Sequence, residues 1–107
     1  MSIRVLADDL ASHIGNRPFA YLVSTGENGP KVVAQRVTLR GSRAHAPAVG
    51  RGTLANVVRD PRVTLVWPPA TGDGEHDAYT LIADGVASVD GSDVVVEVSG
   101  AILHRPA

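Results

Sequence analysis

The sequence predicts a mainly β fold, an antiparallel barrel of six strands with two short helices. The 107 residues fit one domain, 1–107, with a single modest core. One phenylalanine, two tyrosines and one tryptophan are the only aromatic residues, so aliphatic side chains must fill that core. The most useful of these is valine, which favours strands. Six short strand patterns surround one helical segment in mid-chain, and closure into a barrel would remove the exposed sheet edges.

The first periodic segment, 8–14, predicts a short amphipathic helix. Leu6, Leu10 and Ile14 recur at every fourth position, which places them on one apolar stripe. An aspartate at the start is expected to cap this helix, and Gly15 is expected to end it.

Three strands are predicted in the first half of the chain, at 19–24, 31–40 and 43–46. Turn-forming residues at 25–30 separate the first two strands. Gly41-Ser42 fits a tight hairpin loop between the second and third, since glycine readily adopts positive φ. The strand at 31–40 alternates between an apolar face and a basic face, which is typical of a half-buried strand.

The segment 53–60 predicts a second short helix, whose apolar stripe is formed by Leu54, Val57 and Val58. Thr53 is expected to cap its start and Pro61 to end it. Asn56 is expected on its solvent face.

The last three strands are predicted at 62–67, 78–89 and 94–98. The residues at 68–77 predict a polar, exposed loop. Asp84-Gly85 predicts a bend, because a glycine inside a strand often marks a bulge. The residues at 99–107 are expected to form a tail in which Ile102-Leu103 can still pack.

Composition argues against several classes of function. The formal net charge of −1 does not suit a nucleic-acid-binding protein. The chain has no cysteine, and its four histidines lack metal-ligand spacing, so no metal site is predicted. Ser24, His45 and Asp84 do not predict a hydrolytic triad, since the chain has no Gly-x-Ser-x-Gly. The first residues contain no long apolar stretch, so a cytoplasmic protein without a membrane partner is expected.

Several motifs together resemble the pyridoxamine 5′-phosphate oxidase-like superfamily of FMN-binding split β-barrels. They are Gly-Arg-Gly-Thr-Leu-Ala-Asn at 50–56, Arg-Asp-Pro-Arg-Val-Thr-Leu-Val-Trp at 59–67 and Asp-Gly-Val-Ala at 84–87. The resemblance covers about 8–98, and the ending at 103–107 looks like that of short actinobacterial-type members. It implies a split barrel that binds FMN, or alternatively F420 or no cofactor. It also implies a homodimer with the cofactor groove at the interface.

The resemblance further implies which residues bind the cofactor. Arg36, Val37 and Thr38 match the strand that contacts the flavin and its phosphate. Arg51, Gly52 and Thr53 lie where the family carries a Ser-Arg-Lys-like phosphate grip, but here glycine and threonine replace its two basic residues. Physical chemistry supports such a site, because a helix N-terminus offers free N–H groups and a favourable dipole to a phosphate. No catalytic residue is predicted.

Three functions remain open from the sequence. The first is an FMN- or F420-dependent oxidoreductase with a small-molecule substrate, in which the cofactor carries the hydride chemistry. The alternative is a non-enzymatic split-barrel binding protein that has lost its cofactor. The third is an unrelated small barrel that binds an anionic partner through its arginines, namely Arg36, Arg40, Arg43 and Arg51.

Overall fold

The computed structural model describes residues 2–105, which form one antiparallel sheet of eight strands with two short helices. The strands are β1 Ser2–Val5, β2 Ala20–Gly26, β3 Gly29–Gln35, β4 Thr38–Arg40, β5 Arg43–Ala46, β6 Arg62–Trp67, β7 Thr80–Asp90 and β8 Asp93–His104. The predicted mainly β, antiparallel fold with two short helices is confirmed. The predicted number of six strands is too low.

The two additional strands have different origins. β1 pairs with the end of β8, from Ser2 opposite His104 to Val5 opposite Ala101, so the expected tail at 99–107 continues β8 as far as His104. The single strand predicted at 31–40 is divided into β3 and β4, because Arg36 and Val37 leave the ladder. Residues 106–107 of that tail lie outside the described residues.

The order of the strands shows how the sheet curves into a barrel. Neighbouring strands follow the order β3-β2-β6-β7-β8-β5-β4, and β1 pairs with β8 beside β5. β3 and β4 therefore lie at the two ends of this order, although only Arg36 and Val37 separate them in the chain. This two-residue connection keeps β3 and β4 close together, although they do not pair with each other. The barrel is therefore split at residues 36–37, which are called the joint below.

The helices lie close to the predicted positions but begin differently. A 3₁₀ turn at Ala7–Asp9 leads into α1 at Leu10–Ile14, and neither start has a side-chain cap. The second helix, α2, covers Arg51–Arg59 and begins two residues before the predicted cap, Thr53. Its N-cap is Gly50, so Thr53 lies inside the first turn, where it is buried. None of the described helices is both long and apolar enough to cross a membrane.

Alternate residues of each long strand fill the core, as the period of two requires. The largest fully buried side chains are Trp67, Leu10, Leu22, Leu65, Leu81 and Leu103. The register of β7 and β8 shifts between Asp84 and Gly85, which confirms the predicted bend. A Cβ at Gly85 would approach the carbonyl oxygen of Glu97 to 2.5 Å, so glycine permits the close strand contact there.

A buried arginine fixes the long connection between β6 and β7. Arg17 is only 6% exposed, and its guanidinium donates to the backbone carbonyls of His13, Pro68, His76 and Tyr79 at 2.7–3.2 Å. The predicted polar loop is thus tied to the segment between α1 and β2. Burial lowers the pKa of Arg17, and nearby Asp77 opposes that change.

Candidate functional site

The start of α2 carries three of the predicted site residues and has no side-chain cap. Arg51 and Gly52 are exposed, whereas Thr53 is 1% exposed. The first helical hydrogen bond joins the Leu54 N–H to the Gly50 carbonyl at 3.1 Å. The amides of residues 51–53 therefore have no acceptor within the helix, and they form the positive end of its dipole.

A lysine from the neighbouring strand β3 lies directly over this helix start. A Cβ at Gly52 would clash with the Nζ of Lys31 and lie 3.6 Å from its Cε. Gly52 thus leaves room for the ammonium group. Position 52 has no basic side chain of its own, and the ammonium of Lys31 from β3 lies beside it instead.

The cations at this helix start lack counter-charges. Within residues 2–105, neither Lys31 nor Arg51 forms an ion pair or a side-chain hydrogen bond. Cations are disfavoured at a helix N-terminus, because the dipole is positive there. The Lys31 ammonium beside Gly52, the Arg51 side chain that starts in the same turn and the amides of that turn form an arrangement that an anion would stabilise.

Thr53 adds a buried polar atom to the same helical turn. Its Oγ1 has no hydrogen-bond partner among the described residues. One turn further along, Asn56 donates to the Ser24 Oγ at 3.1 Å. Asn56 is only 8% exposed, so its predicted place on the solvent face is wrong. Its amide instead satisfies the buried hydroxyl of Ser24 and joins α2 to β2.

The second group of predicted residues, Arg36, Val37 and Thr38, lies at the joint of the split barrel. Arg36 is exposed in the connection, and Thr38 begins β4. Val37 is half-buried and, with Leu39, borders a cavity of about 270 Å³ whose other wall is α1 and Gly15. Thr38 borders a separate cavity of about 350 Å³, next to β5.

The 350 Å³ cavity is lined by a square of polar side chains on β4 and β5. Thr38 lies opposite His45, and Arg40 lies opposite Arg43. Residues two apart on a strand share a face, so all four side chains project to the outer face of the ladder. Leu39 of β4 and Val95 of β8 complete the lining.

An aspartate holds the imidazole of this cavity and also the chain that leads to α2. The Asp93 Oδ2 lies 2.9 Å from the His45 Nε2, and the Asp93 Oδ1 accepts the Ala48 N–H at 2.8 Å. The Ala48 hydrogen bond, followed by His45, lowers the pKa of Asp93. Ala48 has a φ of +52°, which is unusual for a residue with a side chain. Asp93 thereby secures a strained segment three residues before Arg51.

The structure does not join the two predicted groups by a direct contact among residues 2–105. The two groups are connected through β5. Thr38 pairs with His45 of that strand, and the chain continues from β5 through Ala48 into α2. Sequence reasoning missed the contributions of Lys31, His45 and Asp93. The basic character of the 31–40 strand was a signal for Lys31, whereas the pairing of His45 with Asp93 depends on the fold.

The outer face of the sheet also carries an apolar patch. Tyr21 pairs with Val66, Val66 with Ile82 and Ile82 with Ile102, and Val23 pairs with Val32 on the neighbouring row. These six residues are called the outer apolar face here. Val32 is 55% exposed and Tyr21 is 38% exposed. Two shallow cavities of about 470 and 480 Å³ also lie on this side of the sheet.

Two mycobacterial proteins share recognisable sequence similarity with the chain. They are the uncharacterised proteins Mb0449c of Mycobacterium bovis and MT0457 of Mycobacterium tuberculosis. Each is 35% identical over 116 aligned positions, which cover 92% of this chain and 78% of the relative. No family model matches the sequence.

Solved structures share the fold at much lower identity. A FAD-binding protein from Mesorhizobium loti has a TM-score of 0.72 at 9% identity, covering 98% of this chain and 99% of that protein. A putative pyridoxamine 5′-phosphate oxidase from Listeria innocua has a TM-score of 0.66 at 16% identity, with coverages of 94% and 98%. An F420 reductase has a TM-score of 0.59 at 13% identity, with coverages of 90% and 92%.

Proposed function

Since this chain belongs to one family with the two mycobacterial proteins and has the split barrel of the pyridoxamine 5′-phosphate oxidase-like superfamily, we propose that it binds a flavin-type cofactor. The cofactor phosphate would bind at the start of α2. The neighbouring structures named for FAD and F420 support this class of ligand.

The observation that carries the proposal is the position of Lys31 over Gly52. The chain lacks the adjacent basic pair of the family grip at 52 and 53. Lys31 and Arg51 would supply the charge, and the amides of the first turn would supply further donors. The buried Thr53 hydroxyl of the same turn has no hydrogen-bond partner within residues 2–105, and we propose it as a further donor.

Arg36, Val37 and Thr38 are the residues we propose for the ring end of the cofactor. Val37 offers an apolar surface, and the backbone at 36–37 is free of the sheet ladder, so its polar groups are available. The exposed Arg36 would add a charge-assisted hydrogen bond. FMN is the cofactor we propose first, and F420 is the alternative.

The activity we propose is oxidation or reduction of a small molecule. A bound flavin or deazaflavin would supply hydride transfer, and this chain would bind and orient it. The residues around Thr38 would form one wall of the substrate site and would limit the access of water to it.

We also propose that the protein is a homodimer, with the cofactor groove at the interface. The outer apolar face exposes two residues by more than a third, Tyr21 and Val32, and lies on the open side of the sheet. Burial of such a face against a second copy is favoured by the hydrophobic effect.

The second candidate is a binding protein that has lost its cofactor. The replacement of the basic pair by Gly52 and Thr53 favours this candidate. The position of Lys31 beside Gly52 favours the first candidate, because it places a cation where the basic pair is missing.

Absorbance spectra of the purified protein, followed by titration with FMN and with F420, test the proposal. We expect binding of one of them, weakened about tenfold or more in Lys31→Ala and in Arg51→Ala. Arg59→Ala, which removes a cation paired with Glu27 at the far end of α2, is the control and should bind normally. Absence of binding of both cofactors at about 100 μM would favour the cofactor-free protein.

A further inference from the structure

The cavity on β4 and β5 has a second set of anion-binding groups, separate from the start of α2. Arg40 and Arg43 are directly opposite on paired strands, beside the opposite pair Thr38 and His45. Side chains that face each other in this way have Cβ atoms about 5 Å apart. All four groups can therefore reach one small ligand in the cavity of about 350 Å³.

The pairing of two arginines is unfavourable by itself. Like charges that lie directly opposite on neighbouring strands are destabilising. Glu97 offsets one of them, since its Oε1 accepts from the Arg43 Nε at 2.6 Å. Arg40 has no ion-pair partner within residues 2–105. The arginine side of the cavity thus retains one uncompensated positive charge.

We propose that this cavity binds a monocarboxylate group of the substrate, with Arg40 as the main cation. Its role as a substrate site rests on the proposed function above. Arg40 is the one guanidinium of this pair without an ion pair within residues 2–105, and one guanidinium matches a carboxylate better than a phosphate dianion. The guanidinium fork binds a carboxylate through two parallel hydrogen bonds, and the Thr38 hydroxyl offers a further donor.

His45 is held in the site by Asp93. Because Asp93 accepts at its Nε2, the ring is held with Nδ1 available to another partner. The charged groups around this imidazole are Arg40 on β4, Arg43 on β5 and three acids from the β7–β8 hairpin, Asp90, Asp93 and Glu97. Asp93 therefore fixes the imidazole as one wall of the cavity, beside Thr38.

The test uses the full-length, cofactor-free protein labelled with ¹⁵N, titrated with benzoate at constant ionic strength. We expect saturable shifts of backbone amides in β4 and β5. Benzamide, the uncharged analogue, should not produce them. Arg40→Ala should weaken benzoate binding about tenfold, Arg40→Lys should weaken it less, and Arg59→Ala should leave it unchanged.

Three results would overturn the proposal. One is an equal response to benzamide, and another is undiminished benzoate binding by Arg40→Ala. The third is tighter binding of phenyl phosphate than of benzoate, which would make the cavity a phosphate site. Since no cofactor is present, these results are independent of whether FMN or F420 binds through Lys31.

Discussion

The Nζ of Lys31 occupies the space above Gly52 in which a side chain would begin. Gly52→Ala should therefore move the Lys31 ammonium out of the proposed phosphate site without destabilising α2. The far end of a lysine moves at little cost, and alanine is the better helix former by up to about 1 kcal/mol. We expect equal or higher stability in urea denaturation, together with about tenfold weaker binding of FMN or F420.

Unchanged cofactor affinity in Gly52→Ala, with Lys31 displaced, would contradict the proposed phosphate site. Gly50→Ala is a suitable control, because a Cβ at Gly50 meets no atom within 4 Å. It adds the same methyl group without moving the ammonium.

Strands and bends could be predicted where neighbouring residues in the sequence carry the pattern. The alternation at 62–67 and the glycine of Asp84-Gly85 indicate a strand and a bulge by themselves. β1 could not be predicted in this way, because Ser2 and His104 are 102 positions apart. The four residues of β1, Ser2–Val5, have mixed polarity, and they form a strand through their pairing with β8.

The candidate site likewise combines residues that a local motif places with residues that only the fold brings together. Arg51, Gly52 and Thr53 are consecutive, so a motif can place them at a helix start. Lys31 approaches Gly52 only because α2 packs across the β2–β3 hairpin, and the His45–Asp93 pair spans 48 positions. These two relationships depend on tertiary packing, which no local pattern encodes.

Arg17 should be essential for the order of the β6–β7 connection. Its removal would leave up to four carbonyls without a donor, in a region where water is partly excluded. Arg17→Ala should cost about 3 kcal/mol or more in urea denaturation and expose residues 68–79 to proteolysis. Arg17→Lys, which keeps the charge and some donors, should show an intermediate loss. Wild-type protection of that loop in Arg17→Ala would show that other contacts hold it.

Asp93 should make the protein sensitive to acid. Its pKa is lowered in the folded state by the Ala48 N–H and by His45. A carboxyl group with a depressed folded-state pKa stabilises the fold fully above its unfolded value, near 3.9, and loses this contribution as pH falls through the folded value. Thermal unfolding of Asp93→Asn should therefore show a lower Tm than wild type at neutral pH.

The two Tm curves should begin to converge as the pH falls below about 4, and they should meet once Asp93 is protonated in the folded state, since both side chains are then uncharged. The carboxyl group of Asp60 also has a lowered pKa, caused by Arg62, so Asp60→Asn measures how much acid sensitivity arises elsewhere. A constant difference in Tm between wild type and Asp93→Asn at all pH values would exclude the ionised carboxylate as the cause.

The outer apolar face predicts a specific effect on the oligomeric state. Val32→Lys should convert the proposed dimer to a monomer in light scattering, because burying an unpaired lysine is costly. Val58→Lys is the matched control, since Val58 is an exposed valine on α2, outside the outer apolar face. A monomeric wild-type protein at micromolar concentration, or identical behaviour of the two variants, would contradict an interface at this face.

Replacement of Thr53 should change protein stability and cofactor binding in opposite directions. Its Oγ1 is buried without a partner in the part of the chain that the structure describes, and an unsatisfied hydroxyl of this kind costs about 1–3 kcal/mol. Thr53→Val keeps the shape of the side chain and removes that cost, so the variant should be more stable by about 1 kcal/mol in urea denaturation. If the hydroxyl is kept for a phosphate, the same variant should bind FMN or F420 several-fold more weakly, whereas Thr53→Ser should retain binding. A stabilised Thr53→Val with full cofactor affinity would instead show that the hydroxyl serves no ligand.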